Sequence, residues 1–225
     1  MEGEVLNCPL LAQLSESHYS VDMPSHFPVG GDRRLIQILD AALADTTKKS
    51  GDWLVCRPGC SSCCVGIFPI NQLDALRLRR GLKDLQRSAP ERAAAVQARA
   101  RDAVARHAGE FPGDPVSGIL NEGDEAEEQF SEFANDEPCP ALDPVTGKCE
   151  LYESRPMTCR VFGPPVESED GLGVCELCYH GASEAEIAAC EMKPDPDHLE
   201  AVLIEKVETN TGVHGNTIIA YCLAS

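Results

Sequence analysis

The stretch Cys56-Arg-Pro-Gly-Cys-Ser-Ser-Cys-Cys64 places four thiols within nine residues. Pro58 and Gly59 favour a tight turn inside it, so the sulfur atoms can approach one another without closure of a long loop. Thiolate sulfurs in a tetrahedral array suit zinc or an iron–sulfur cluster. The stretch therefore predicts a metal site. Its candidate ligands are Cys56, Cys60, Cys63 and Cys64.

The adjacent pair Cys63-Cys64 bears on the number of metal centres. Side chains of neighbouring residues diverge, so both thiols can hold one metal only in a strained loop. The pair therefore favours either two centres, or one ligand beside one packed thiol. Ten candidate thiols lie between residues 56 and 190. Two four-ligand sites would use eight of them, and one site surrounded by further cysteines is the alternative.

A second set of cysteines follows Pro138. Cys139, Cys149 and Cys159 are spaced ten residues apart, and Cys175-x2-Cys178 has the spacing of a bidentate metal clamp. A redox pair has the same spacing, but the strand-and-helix pattern of thioredoxin-like proteins is missing around it. We expect this set to complete the metal site. The downstream candidate ligands are Cys139, Cys149, Cys159, Cys175 and Cys178.

The remaining chemistry-bearing residues do not indicate a catalytic site. His180 follows Cys178 by two positions, and a structural or surface role is favoured for it. Cys8 and Cys222 stand alone near the chain ends and favour packed positions, whereas Cys190 suits either role. The sequence has no H-E-x-x-H, no G-x-S-x-G and no glycine-rich nucleotide loop.

Four blocks together resemble the YkgJ-type cysteine-cluster family, described as chelating zinc or iron. They are Cys56–Cys64, Cys139-Pro-Ala-Leu142, Gly147-Lys-Cys149 and Tyr152-x2-Arg-Pro-x2-Cys-Arg160. The resemblance covers about residues 50–180. The family pattern is CxxCxxCC, and the first spacing here is CxxxC; flagellin lysine N-methylase carries a related domain. The metal ligands that the resemblance implies are Cys56, Cys60, Cys63, Cys64, Cys139, Cys149 and Cys159.

Two arginines flank the last of these ligands. Arg155 and Arg160 could offset the negative charge of clustered thiolates or donate hydrogen bonds to sulfur, so both are candidate cofactor-binding residues. Ordinary surface ion pairing is their alternative role. Pro156 suits the first position of a short helix that would bring Cys159 toward the metal. We expect Tyr152 to pack in the core.

Charge and hydropathy limit the partners and the location. Nineteen lysines and arginines oppose 37 aspartates and glutamates, giving a net charge of −18. A surface of that sign repels phosphate backbones and anionic membranes, so we expect neither partner. The N-terminus lacks a basic start followed by an apolar run, and no segment is apolar enough to span a bilayer. We expect a cytoplasmic protein, where dense cysteines indicate metal rather than disulfides.

The predicted fold class is mainly α with irregular loops, a small metal-organised cysteine-rich domain with little or no β structure. Residues 1–30 are predicted to be an irregular N-terminal segment and 31–225 a single metal-binding domain. Asp32 is placed to cap a first helix. From Asn71 the apolar spacing favours a further helix or helix pair, and Pro90 begins a second, alanine-rich helix that runs to about His107. Residues 108–138 carry ten acidic side chains and no lysine or arginine. They predict an acidic linker or insertion, or alternatively a docking surface for a basic protein partner.

Shorter signals follow the cysteines. Ser183-x2-Glu186 is a capping box that opens a short helix ending near Cys190. Asp195-Pro196 opens another, predicted to run from Leu199 to about Val207. The tail, residues 216–223, is β-prone and predicts a short strand.

Three functions fit these patterns. The first is a metal- or cluster-binding protein without its own catalysis, for storage, transfer, sensing or structure. The second is a metal-dependent enzyme that modifies a protein side chain or transfers electrons, which the methylase resemblance keeps open. The third is a structural zinc module that organises an interaction surface. A [4Fe–4S] cluster is slightly favoured over zinc because sulfur ligands are numerous and metal-spaced histidines are lacking.

Overall fold

The computed structural model describes residues 28–57, 59–168 and 171–224. These residues form eight α-helices and two antiparallel two-stranded sheets, β1–β2 and β3–β4. The elements are α1 Val29–Ser50, α2 Gln72–Ser88, α3 Pro90–His107, β1 Gly113–Asp114, β2 Ile119–Leu120, α4 Asp124–Glu132, α5 Met157–Val161, β3 Val166–Ser168, β4 Gly171–Gly173, α6 Glu184–Ala189, α7 Leu199–Thr211 and α8 Ile219–Ala224. The mainly helical fold class is confirmed. The segment predicted to be irregular, 1–30, lies outside the described residues except for its last three.

Helix α1 begins earlier than the sequence predicts. The Asp32 amide donates to the Pro28 carbonyl at 2.9 Å, so Gly30 and Gly31 are already helical and Asp32 lies in the first turn. The predicted N-cap role of Asp32 is therefore wrong. Its buried carboxylate accepts from Arg77 of α2 at 2.6 Å instead. The Asp32 side chain therefore forms a long-range ion pair with Arg77 and does not cap the helix.

Helices α2 and α3 form the predicted pair. The Asn71 side chain accepts from the Asp74 amide at 2.9 Å and caps α2, and α3 begins at Pro90 as predicted. Their apolar faces pack against each other and against α8 in one hydrophobic core. That core includes Leu78, Leu82, Leu85, Ala93, Val96, Ala100, Cys222 and Leu223.

The tail is helical, so its prediction as a strand is wrong. Thr217 pairs with Ile70 through two backbone hydrogen bonds of 2.8 and 2.9 Å, after which α8 begins at Ile219. Four of the six α8 residues are buried against α2 and α3. The β-branched residues produced the strand signal, but burial between two helices decides the conformation.

A second core joins α1 to α5 and α7. Leu35 and Leu39 of α1 pack with Leu203 and Val207 of α7 and with Met157 of α5. The Asp195 carboxylate accepts from the first amides of α7 at 3.0 and 2.7 Å, as expected for a helix opened there. Helix α7 continues past the predicted end to Thr211, and Gly212 follows in the left-handed region with φ of 69°. The capping box of α6 is confirmed.

The acidic stretch 108–138 contains the β1–β2 hairpin and α4. Its end is fixed to α3, because Glu137 accepts from Arg106 at 2.5 Å and contacts His107 at 2.8 Å. Phe111 and Phe133 pack together edge to face with ring centroids 5.9 Å apart. Among the described residues, no helix combines the length and the apolarity needed to cross a membrane.

Candidate metal centre

Backbone hydrogen bonds join the first cysteine stretch to the downstream one. The Cys64 carbonyl, at the end of a 3₁₀ turn spanning Ser62–Cys64, accepts from the Cys139 amide at 2.7 Å. Two residues further along, the Gly66 amide donates to the Glu137 carbonyl at 2.9 Å. The two segments therefore run antiparallel, and they bring thiols 75 positions apart in the sequence to one place.

A tight turn places Cys149 beside Cys139. The backbone of Leu142 pairs with that of Cys149 in an antiparallel bridge. The Asp143 carboxylate closes the turn by accepting from the Val145 amide at 2.9 Å. Gly147 supplies the left-handed backbone, with φ of 66°, that the return requires. The ten-residue spacing from Cys139 to Cys149 thus corresponds to one hairpin-like turn of the chain.

Cys159 lies on the short helix α5, whose start is fixed from a distance. The Met157 amide donates to both oxygens of Asp74 at 3.1 and 3.2 Å. Pro156 precedes the helix with extended ψ of 156°, so its prediction as the first helical residue is wrong. The helix instead begins with Met157, because that residue has the N–H that Asp74 binds. Asp74 is 2% exposed and also pairs with Arg77.

Five thiols form what we call the first thiol group: Cys63, Cys64, Cys139, Cys149 and Cys159. Burial raises the pKa of Cys159, and the nearby Cys139, Cys149 and Cys63 raise it further. Burial likewise raises the pKa of Cys139 to about 12, with Cys149 adding to it. Each thiol of the group is therefore within electrostatic reach of others in it.

The adjacent thiols Cys63 and Cys64 lie together within this group. The pKa of Cys63 is lowered to about 6, chiefly by a hydrogen bond with Cys64 and in smaller part by Arg155. The same hydrogen bond raises the pKa of Cys64, to which burial also contributes. The two neighbouring thiols are therefore within hydrogen-bond reach of each other, and whether they serve one centre or two stays a prediction.

Arg155 is a positive charge beside the first thiol group. It contributes to the lowered pKa of Cys63 and opposes the burial that raises the pKa of Cys149. Its guanidinium carbon lies 3.5 Å from the centre of the Tyr152 ring, and its Nε donates to the Tyr152 carbonyl at 2.8 Å. Tyr152 is 46% exposed, so its predicted core position is wrong. The ring stacks on the arginine at the surface and holds it near the thiols.

Arg160 points elsewhere. Its Nη1 donates to Asp40 of α1 at 3.3 Å and its Nε to the Arg155 carbonyl at 3.3 Å, while its other terminal nitrogen donates to the Glu153 carbonyl. Burial lowers the pKa of this arginine. In the described residues its hydrogen bonds thus fix the turn that carries Arg155, and its role toward a cofactor stays a prediction.

Four other thiols form the second thiol group: Cys56, Cys60, Cys175 and Cys178. Burial of the sulfur raises the pKa of Cys56 to about 12, and the nearby Cys178, Cys175 and Cys60 contribute. Burial also raises the pKa of Cys175, followed by Cys178 and Cys60. The interactions that shift these two pKa values involve thiols of the second group and not those of the first.

Gly163 connects the two halves of the second thiol group. Its carbonyl accepts from the Cys175 amide at 3.3 Å. A Cβ added to it would lie 2.8 Å from the Cys56 sulfur, and its φ is 119°. The Tyr179 amide donates to the Trp53 carbonyl at 2.9 Å, and the Cys178 amide to the Cys175 carbonyl at 2.8 Å. Cys56 and the Cys-x2-Cys turn therefore lie against the same glycine.

The other predicted residues take simpler positions. Cys222 is buried in the core, and its thiol donates to the Ala75 carbonyl at 3.1 Å, as the packed role predicts. Cys190 is buried with Cys178 and Tyr179, and His180 is exposed. Cys8 lies outside the described residues.

The candidate ligands have the chemistry of a thiolate-bound metal site, but their side chains are not arranged around one point. The ten cysteines from Cys56 to Cys190 are free thiols. Within the described residues, no three histidine, cysteine, aspartate or glutamate side chains are arranged to hold an ion as they stand. Binding would therefore require rotation of these side chains, and ligation would remove the thiol protons. The chemistry of the set, sulfur donors near Arg155 and Arg99, suits zinc or an iron–sulfur centre.

Comparison with known families gives one match. The model of a family described as "CxxCxxCC: putative zinc- or iron-chelating domain" matches residues 55–179, which is more than half of the chain and contains both thiol groups. No curated protein and no solved structure matches the chain. The match confirms the resemblance seen in the cysteine blocks and supports metal binding. The chain therefore belongs to the CxxCxxCC family of zinc- or iron-chelating domains.

Proposed function

We propose that this protein binds metal through cysteine thiolates and acts as a metal- or cluster-binding protein without catalysis of its own. The observation that carries the proposal is the first thiol group, in which three separate segments bring five thiols within electrostatic reach of one another. The second thiol group supplies further ligands. The proposed ligands are Cys56, Cys60, Cys63, Cys64, Cys139, Cys149, Cys159, Cys175 and Cys178.

A [4Fe–4S] cluster is the occupant that we favour for the first thiol group, with zinc as the alternative. A cluster would take four of the five thiols of this group as ligands, and it carries negative charge that nearby cations stabilise. Arg155 is such a cation: it contributes to the lowered pKa of Cys63 and opposes the raised pKa of Cys149. We assign to Arg160 the supporting task of holding the 153–160 turn in place. A cluster would supply a one-electron centre, and zinc a purely structural one.

The free thiols support a reducing compartment, and we place the protein in the cytoplasm.

The enzyme alternative has one observation in its favour. An open cavity of about 290 Å³ lies beside α5, lined in part by Asp74, Thr158 and Glu200. A substrate in this cavity would lie next to the helix that carries Cys159. Both the enzyme and the binding protein require bound metal. The first experiment therefore tests whether metal is bound, although its presence does not distinguish the two functions.

The test is purification of the full chain without oxygen. A cluster predicts a brown protein with a broad visible absorption band, stoichiometric iron and acid-labile sulfide. A colourless protein with stoichiometric zinc and no iron would overturn the cluster assignment. A correctly folded protein with no stoichiometric metal would overturn the proposed function as a whole.

Two single substitutions test the shared site. Cys63→Ser and Cys159→Ser lie on different segments, and each should lower the metal content because each removes a thiolate from the first thiol group. Cys222→Ser is the matched control: a serine hydroxyl can still donate to the Ala75 carbonyl, and we expect full metal content. Unchanged metal in both site variants would defeat the assignment of these ligands.

A further inference from the structure

The nine candidate ligands divide into two sets that share only the Cys56–Cys64 loop. The division falls between Cys60 and Cys63, where the chain enters the 3₁₀ turn Ser62–Cys64. Downstream of that turn the backbone pairs with Cys139. Upstream of it, the Cys60 amide donates to the Arg57 carbonyl at 2.9 Å and forms a turn of its own.

Packing separates the two sets independently of their charge interactions. Cys139 and Cys149 pack against the α2–α3–α8 core. Cys175 and Cys178 belong instead to a small cluster with Tyr179 and Cys190, against which Trp53 and Leu54 pack. The two downstream cysteine pairs thus pack in different parts of the molecule.

The second thiol group has the chelating pattern of a closed four-thiolate site. Its members come as Cys56-x3-Cys60 and Cys175-x2-Cys178, and structural zinc sites take cysteine pairs separated by two to four residues. Both pairs are closed by backbone turns, with the Cys60 and Cys178 amides donating at 2.9 and 2.8 Å. Gly163 brings the pairs together, since it contacts the Cys56 sulfur and accepts from the Cys175 amide.

We propose that Cys56, Cys60, Cys175 and Cys178 form a second metal site, separate from the first thiol group, that takes one tetrahedral ion of the zinc type. The inference rests on the proposed function, because it divides the same ligands between two centres. The four sulfurs must turn inward to surround an ion. Cys56 and Arg57 are exposed, so the side chains of this loop can turn without disturbing a packed core. Zinc would then fix the loop 51–57 against the segment 171–179.

The test compares metal content in three variants of the full chain purified without oxygen. The pair Cys175→Ser/Cys178→Ser should lose one zinc per chain and keep the metal of the first thiol group. The pair Cys149→Ser/Cys159→Ser should show the reverse, and Cys222→Ser should keep both. Elemental analysis and acid-labile sulfide are the readouts, with circular dichroism as the check of folding.

Two results would overturn the second site. One is that both pairs of substitutions remove the same metal together, as a single shared centre requires. The other is that Cys175→Ser/Cys178→Ser keeps all of the wild-type metal. Loss of the second site alone leaves the proposed function standing, whereas wild-type protein without metal removes both.

A milder variant keeps the test open if a double substitution unfolds the protein. Cys56→Ser changes an exposed residue and leaves three thiols in the group. In competition with a chelator, the variant should bind zinc at least about tenfold more weakly than wild type. A tenfold loss is the lower end of the effect of removing a group that only hydrogen-bonds to a metal ligand. A Cys56→Ser protein with wild-type zinc affinity contradicts the site.

Discussion

Gly163 determines how closely the chain approaches the Cys56 sulfur. Its φ of 119° strains any other residue, and a Cβ would lie 2.8 Å from that sulfur. We therefore expect Gly163→Ala to cost about 1–3 kcal/mol of unfolding free energy from backbone strain. It should also displace Cys56 and weaken metal binding by the second thiol group. Urea denaturation and zinc analysis measure the two effects.

Gly123→Ala is the matched control for this residue. Its φ of 101° is similarly strained, but among the described residues a Cβ there meets nothing within 4 Å. We expect a comparable loss of stability with full metal content. If both alanine variants lose metal equally, backbone strain rather than contact with Cys56 explains the effect.

Some residues of the candidate site can be recognised from the sequence around them, and others cannot. The thiols and Arg155 could be predicted because their chemistry is local to the cysteine blocks. Asp74 could not: it caps α5 from 83 positions away, and nothing near it in the sequence marks that partner. Gly163 stands in a Gly-Pro-Pro loop whose sequence explains a glycine without reference to any thiol.

Among the elements, α2 holds the helix that carries Cys159. Asp74→Ala removes the carboxylate that binds the Met157 amide and leaves Arg77 with Asp32 as its carboxylate partner. Because Arg77 keeps one carboxylate, the main loss is the charge-assisted hydrogen bond to the Met157 amide, which contributes about 1.5–3 kcal/mol. We expect that loss of unfolding free energy together with reduced metal in the first thiol group. Denaturation curves and metal analysis give the answer.

The same helix provides a control with the same geometry. Asp84 pairs with Arg87 three residues later, as Asp74 does with Arg77, but both partners are more than half exposed. Asp84→Ala should cost no more than about 1 kcal/mol and leave the metal in place. Equal effects at the two positions would contradict a positioning role for Asp74.

The contact between α2 and the Tyr152–Ser154 turn depends on a small residue. A Cβ on Gly81 would lie 2.5 Å from the Ser154 Cβ, which belongs to the turn that precedes Arg155. Gly81→Ala should therefore destabilise the protein by about 1–3 kcal/mol, the cost of overpacking. A Cβ on Gly30 in α1 meets nothing within 4 Å among the described residues, so Gly30→Ala should be neutral or stabilising by up to about 1 kcal/mol. Thermal unfolding compares the pair.

Element prediction was limited by contacts that are distant in sequence. The α2–α3 pair and the α6 capping box followed from local periodicity and local hydrogen bonds. The tail and the start of α1 did not, because α8 is stabilised by burial between α2 and α3 and Asp32 by Arg77. In both cases a tertiary contact competes with the local signal and dominates it.

For the molecule as a whole, the thiol-bearing loops and the helical core make separate contributions to stability. The α2–α3–α8 core consists of apolar side chains packed on one another. The segments that carry the thiols are held mainly by turns and isolated bridges. Metal removal should therefore increase amide exchange in residues 51–57, 59–70, 139–168 and 171–190 while α2, α3 and α8 stay protected. Hydrogen exchange with mass spectrometry measures this, and uniform loss of protection would contradict it.

The mainly helical class was predictable at this scale, because the apolar periodicity indicates helices. The sequence left two metal centres as one alternative, but it did not indicate which thiols lie together. That grouping depends on which end of the Cys56–Cys64 loop meets Cys139 and which end meets Gly163, and those contacts arise only on folding.

X-ray absorption spectroscopy of the metal in the anaerobically purified protein tests directly whether thiolates bind the metal. We expect a first shell made of sulfur, with four ligands and metal–sulfur distances of about 2.3 Å. A first shell dominated by nitrogen or oxygen would contradict thiolate ligation of the metal.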